Sequence, residues 1–167
     1  MPRGFRKYIK RAKELGVIDA KVIDAGSVVT ADWVRMKCKY GCGGYGSSHC
    51  CPPNSPDAAA TRGFVDCYKK ALMIHCDHYR KPTKIAVELE REIFLDGYYK
   101  AFALGSGPCY LCRECDLDCC KHPETARPSM EACGIDVFAT AHANGFPISV
   151  VRTHDDKGNY YGLVLIE

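Results

Sequence analysis

Residues 148–167 read "ISVVRTHDDKGNYYGLVLIE". Two runs rich in β-branched and aromatic residues, 148–154 and 159–167, flank the polar "DDKG", with Gly158 placed to supply the turn. That spacing predicts a β-hairpin. Moving upstream, "ALMIHC" (71–76) and "YYKAFAL" (98–104) read as further strands. Between them Pro82 opens a helix whose Ile85, Leu89 and Ile93 share one face and which ends by Gly97. Further back, "AKVIDAGSVV" (20–29) is a short apolar run of strand type, and Thr30 is placed to cap a helical turn through Trp33 and Val34. Ser55, Pro56 and Asp57 look like an N-cap, a first-turn proline and an acidic first turn, starting a helix through about Lys69. At the N-terminus Phe5, Tyr8, Ile9, Ala12 and Leu15 recur at helical spacing. Arg3, Arg6, Lys7, Lys10, Arg11 and Lys13 fill the other face, which reads as solvated, and the helix ends near Gly16. Residues 128–144 are broadly helical, with a break at Gly134–Asp136.

Helices and strands alternate without a sustained βαβ repeat, so the expected fold is α+β: a single domain over 1–167 with a mixed β-sheet and packed helices. Two cysteine-rich loops, 37–55 and 105–123, interrupt it and are placed to meet on one face. At 167 residues the chain is long enough to bury a core without covalent staples. Lys and Arg number 23 against 20 Asp and Glu, a net +3 too small to suggest nucleic-acid binding. No run approaches the ~18 apolar residues of a membrane span, and "MPRGFRKYIKRAKELG" lacks the apolar core of a secretion signal. A reducing cytoplasm is therefore expected. There, 12 cysteines point to metal or redox chemistry rather than a disulfide scaffold.

In "GPCYLCRECDLDCCKHP" (107–123), Cys109, Cys112, Cys115 and Cys119 obey C-x2-C-x2-C-x3-C, the spacing of bacterial-type ferredoxin loops. Two intervening residues let the backbone curl around a 4Fe-4S cubane, so that successive sulfurs meet different irons. Zinc is the alternative; it needs four donors, commonly as two separated C-x2-C knuckles, and fits this run less well. Cys119 and Cys120 are adjacent, and the spacing leaves open which of them is the fourth ligand. His122 beside them reads as a supporting or exposed group rather than a ligand.

The first loop, with Cys38, Cys42, Cys50 and Cys51, follows C-x3-C-x7-C-C-P-P and matches no common zinc-finger spacing. Gly41, Gly43, Gly44 and Gly46 would let backbone approach a bulky inorganic core. Cys51, held by Pro52 and Pro53, is the preferred ligand, with Cys50 as the alternative, because successive side chains before a proline point apart. Cys67 and Cys76 fall on apolar patterns and read as buried small hydrophobes. Arg127 reads as packing the second loop.

Taken together, "MKCKYGCGGYGSSHCCPPNSP" (36–56), "GYYKAFALGSGPCYLCREC" (97–115) and "CKHPETARPSMEACGIDVFATA" (120–141) resemble a family of prokaryotic proteins described as predicted metal-binding, of unknown function. The resemblance implies ligands at Cys38, Cys42, Cys51, Cys109, Cys112, Cys115 and Cys120, favouring Cys120 over Cys119 and Cys51 over Cys50. It implies no reaction.

The leading expectation is an iron-sulfur protein with one or two 4Fe-4S clusters that passes electrons to a redox partner protein, without nucleic acid or membrane insertion. Three thiols in the first loop and four in the second leave one cluster a ligand short, unless Cys133, Cys50 or Cys119 closes it. An open iron makes an enzyme acting on a small substrate the second reading, and a zinc-stapled interaction module the third.

Overall fold

In a β-strand successive side chains face opposite ways, so the apolar run 71–76 can feed two separate cores. It does: Leu72, Ile74 and Cys76 join one buried cluster, while Ala71 and Met73 join another on the opposite side of the sheet. The structure is a computed structural model and describes residues 4–153 and 155–167; Arg3 and His154 lie outside the described residues. In chain order the elements are α1 (Arg6–Glu14), β1 (Asp19–Asp24), α2 (Asp32–Gly41), α3 (Ala58–Val65), β2 (Lys70–Cys76), α4 (Lys81–Leu95), β3 (Phe102–Leu104), α5 (Val137–Ala143) and β4 (Tyr160–Leu165).

The class is α+β as expected, built on one four-stranded sheet in the order β1-β2-β4-β3. The expectation of a mixed sheet is corrected, since every neighbouring pair of strands is antiparallel. The reason is topological. β2 and β3, joined through α4, run in the same direction but leave a strand-wide gap, and β4 fills it antiparallel to both. This is a split βαβ unit.

The expected hairpin is also corrected. Residues 148–153 form no strand, and β4 pairs with β2 and β3 instead. With a neighbour on each side β4 has no edge for 148–153 to join. Its burial is continuous from Tyr161 to Leu165, the mark of a central strand covered on both faces. Ile148 packs on the core from the loop, and its carbonyl faces His142 Nε2 at 3.2 Å.

The layer on one face is α1 and α4. Phe5, Tyr8 and Ala12 meet Ile85, Leu89 and Ile93 over Leu72, Ile74 and Val164. Arg11 fastens the two helices through Glu88 at 2.7 Å and Glu92 at 2.8 Å. On the other face lie α3, α5 and the segment around Met130–Ile135, packed on Met73, Tyr161, Leu163 and Leu165. Asp136 caps α5 by accepting from Ala139 N at 2.9 Å, as its position before the helix suggests.

Five local expectations shift. The cap of α3 is Asp57, which accepts from Ala60 N at 2.8 Å, while Ser55 Oγ donates to Ala132 O at 2.6 Å and ties the first loop to the core. α3 ends at Val65 rather than Lys69, and the strand expected over 98–104 is confined to Phe102–Leu104. The loop assigned to 37–55 begins later, because α2 continues through Gly41; its N-cap is Ala31 rather than Thr30.

Candidate metal centre

The extension of α2 places the first pair of cysteines. Cys38 lies on its last turn and Cys42 at its C-cap, and residues four apart share a helix face. Beyond Cys42 the chain folds back, with Gly46 N donating to Pro52 O at 2.7 Å. Gly46 takes a φ of +74°, a conformation that favours glycine. Gly44 faces two sulfurs at once: the position its missing Cβ would occupy is 3.6 Å from Cys42 Sγ and 3.9 Å from Cys51 Sγ. Its N–H points at Cys42 Sγ, 3.4 Å away. Burial pushes the Cys38 thiol up, reinforced by Cys42, Glu131 and Cys51 and opposed by Arg35. Cys38, Cys42 and Cys51 thus form one set. The Arg35 guanidinium holds the returning chain, donating to Pro56 O at 2.7 Å, Ser55 O at 3.0 Å and Pro53 O at 3.2 Å.

Cys50 turns the other way. Its buried thiol is pushed up to about 12, first by burial and then by Cys109, Cys120 and Cys51. With Cys109, Cys112, Cys115 and Cys120 it lines a narrow crevice of about 20 Å³ between the two loops, room for about one water. Ser48, also on this crevice, has a buried hydroxyl with no hydrogen-bond partner. His49 Nε2 meets Asp116 O at 2.8 Å, so the loops do meet on one face. Cys119 stands apart: it is exposed, off the crevice wall, with its sulfur 3.9 Å from Cys120 O. His122 is on the crevice wall.

Of the remaining cysteines, Cys133 lies nearest the first set, sharing Arg35 and Glu131 as neighbours with Cys38. Cys133 is buried, its thiol raised to about 12 by burial. Cys76 is buried in the α1/α4 core as expected, whereas Cys67 is exposed after the end of α3, contrary to its apolar pattern. All 12 cysteines are free thiols. Among the described residues, no three His, Cys, Asp or Glu side chains converge closely enough to hold a single metal ion.

The sequence profile of a family described as "predicted metal-binding protein", a domain of unknown function, matches residues 21–166. The chain belongs to this family. No curated protein and no solved structure matches it. Both cysteine sets lie within the span that defines this predicted metal-binding domain, as do the groups that brace them.

The main brace was only partly legible as Arg127. Its guanidinium makes a two-pronged ion pair with Glu90 on α4, at 2.8 Å through Nε and 2.6 Å through Nη2. Nη1 reaches back to Ala126 O at 2.8 Å and Pro123 O at 3.3 Å, clamping the end of the second loop. Glu90 also accepts from Ala103 N at 2.6 Å, which links the clamp to β3. At the loop's base Gly105 N donates to Pro128 O and Gly105 O accepts from Met130 N, so the loop leaves and returns at one point. No described helix is long and apolar enough to cross a membrane.

Proposed function

We propose that this metal-binding domain is an iron-sulfur protein holding one or two 4Fe-4S clusters, which passes electrons to a redox partner protein in a reducing compartment such as the cytoplasm. The observation that carries the reading is the divergence of Cys50 and Cys51. It divides the thiols into adjacent sets, Cys38, Cys42 and Cys51 on one side and Cys50, Cys109, Cys112, Cys115 and Cys120 on the other. The second set contains the C-x2-C-x2-C run of Cys109, Cys112 and Cys115 that opens the ferredoxin-type spacing, with Cys120 rather than Cys119 following it.

The residues fit such a group. The donors are thiols, the softest ligands a chain offers. Ser48 Oγ is a buried hydroxyl without a partner, a state that costs about 1–3 kcal/mol and is relieved by an acceptor in the crevice. Gly44 presents bare backbone and an N–H to the first set. When bound, a 4Fe-4S cluster accepts and returns single electrons, at a potential set by N–H contacts to sulfur and by nearby charge. The crevice has room for about one water and, among the described residues, no three donors in it converge on one point, so a cubane and a single ion alike require Cys50 and the second loop to move.

The test is iron and acid-labile sulfide analysis with EPR on anaerobically purified full-length protein. About eight iron and eight sulfide would mark two cubanes and about four of each a single one. Colourless protein with stoichiometric zinc overturns the reading in favour of a metal-stapled interaction module. Cys120→Ser is expected to lower the iron content and Cys119→Ser to leave it unchanged. The opposite order would refute the ligand assignment.

A second reading rests on the first set having three thiols, with Cys119 exposed and Cys50 turned to the other set; the buried Cys133, beside the same Arg35 and Glu131 as Cys38, is the thiol that would close it. A cluster held by three cysteines keeps one iron free for a small sulfur- or oxygen-bearing substrate, as open positions do in catalytic metal sites. An EPR spectrum that responds to such small molecules supports this enzyme reading; an unresponsive one removes it.

A further inference from the structure

The helix that carries Glu90 also walls a wide surface groove. Its inner face, Ile85, Ala86, Leu89 and Ile93, is committed to the core. Its outer face turns Lys84, Val87, Arg91 and Phe94 toward the first residues of the second cysteine loop, Pro108–Leu111. Between them lies a groove of about 910 Å³, within the ~300–1,000 Å³ of ligand sites. Its apolar side chains are open to solvent, with Phe94 52%, Tyr110 47% and Leu111 46% exposed.

The charges of the groove are one-sided. Glu88 is taken by Arg11 and Glu90 by Arg127. Arg80, Lys84 and Arg91 enter no ion pair among the described residues, against the single unpaired carboxylate of Glu124. The Arg80 guanidinium lies 4.4 Å over the Tyr110 ring, so this wall already displays the stacking that holds planar groups. Cys109 reaches the same groove from the crevice side.

We infer that this groove binds a small organic anion with a flat apolar body, of the aromatic carboxylate, sulfonate or phosphate-ester class. The body lies along Val87, Phe94 and Leu111, and the charge meets Lys84 and Arg91. A flat body suits walls that are apolar and partly aromatic, and an anion suits three free cations. Binding stands independently of the iron-sulfur reading. Only the consequence that the bound body neighbours a redox centre, through Cys109, rests on it.

The probe is anilinonaphthalene sulfonate, titrated into the purified full-length protein and followed by fluorescence, with the uncharged phenylnaphthylamine as control. Saturable binding of the sulfonate at one site per chain is expected. Lys84→Glu with Arg91→Glu should weaken it about tenfold, as the loss of two charge contacts of surface strength predicts. The uncharged analogue should bind both proteins alike. Phe94→Ser, at an exposed position, should weaken both ligands while the circular dichroism of the native fold is retained. Failure of the wild type to bind, or equal sulfonate affinity in the charge-reversed variant, overturns the inference. Iron and sulfide measured on the same samples keep the two readings separate: a zinc protein that binds the sulfonate sinks the clusters and leaves the groove, and the converse sinks only the groove.

Discussion

Replacing Arg127 by methionine isolates one charge in the structure. Methionine retains an apolar stem beside the Phe102 ring, over which the guanidinium now lies at 5.2 Å, but it removes both prongs of the ion pair with Glu90. The two side chains are 14% and 13% exposed, so the carboxylate left behind is largely cut off from water. It retains the Ala103 N–H at 2.6 Å and loses its counter-charge. Breaking a buried pair by removing one partner costs about 3–5 kcal/mol, most of it the penalty of the stranded charge. For a chain of this size about 2–4 °C of Tm follows each kcal/mol, so the expected loss is roughly 6–20 °C by circular dichroism. Glu90→Gln in the same chain removes the stranded charge, and the double variant should recover most of that loss. A single variant that melts within about 2 °C of the wild type, or a double variant no better than the single, would show that the clamp does not hold the loop.

Two further outcomes test other parts of the fold. Gly134, whose carbonyl receives Ala31 N at 2.8 Å, takes a φ of +71°, and a Cβ there would lie 2.9 Å from the backbone of Ala58. Gly134→Ala should cost about 2–5 kcal/mol, from a left-handed alanine and the overlap combined, measured by urea unfolding; a loss below about 1 kcal/mol is incompatible with this packing. Asp96 accepts from Lys7 at 2.7 Å and Tyr8 at 2.8 Å, and these two bonds, Lys7 first, hold its carboxyl below the ordinary value of 3.8. A depressed folded-state pKa gives stability that is complete above pH 3.8 and lost as pH falls through the folded value. The Tm difference between wild type and Asp96→Asn should therefore hold steady at neutral pH and close below about pH 4, and a pH-independent difference would contradict it.

Apolar patterning carries α1, β1, β2 and α4, because each has a pattern that its final neighbours satisfy, although β1 stops at Asp24 short of the expected Val29. The Ile85, Leu89 and Ile93 stripe is the buried face of α4, and 71–76 is a strand buried on both faces. The hairpin failed because a local alternation rule cannot see which strands flank 160–165. The stretch 148–153 has the composition of a strand but no free sheet edge to pair with, while β2 and β3 come from far upstream. Ser55 and Asp57 are equally good caps by composition. The choice between them was made by Ala132, whose carbonyl takes the serine hydroxyl. The mixed sheet was an error of the same kind, since strand direction within a split βαβ unit depends on what fills the gap.

The cysteine sets show where spacing stops and folding begins. C-x3-C in the first loop had no zinc-finger parallel because it is a helical spacing: α2 runs on past Trp33 and Val34 to Gly41 despite the glycines that follow, and Cys38 and Cys42 come to one face. Cys50 and Cys51 were weighed as rivals for a single position. In the fold they belong to different sets, Cys51 facing Gly44 beside Cys42 and Cys50 facing Cys109 and Cys120. The partners of Cys50 lie about sixty residues onward and are brought to it by the His49–Asp116 contact and the Arg127 clamp. Because one peptide bond joins the two cysteines, any movement that opens the crevice around Cys50 also displaces Cys51 and the first set. The two proposed centres are therefore expected to fill together, with iron loading of one set altered by serine substitution in the other.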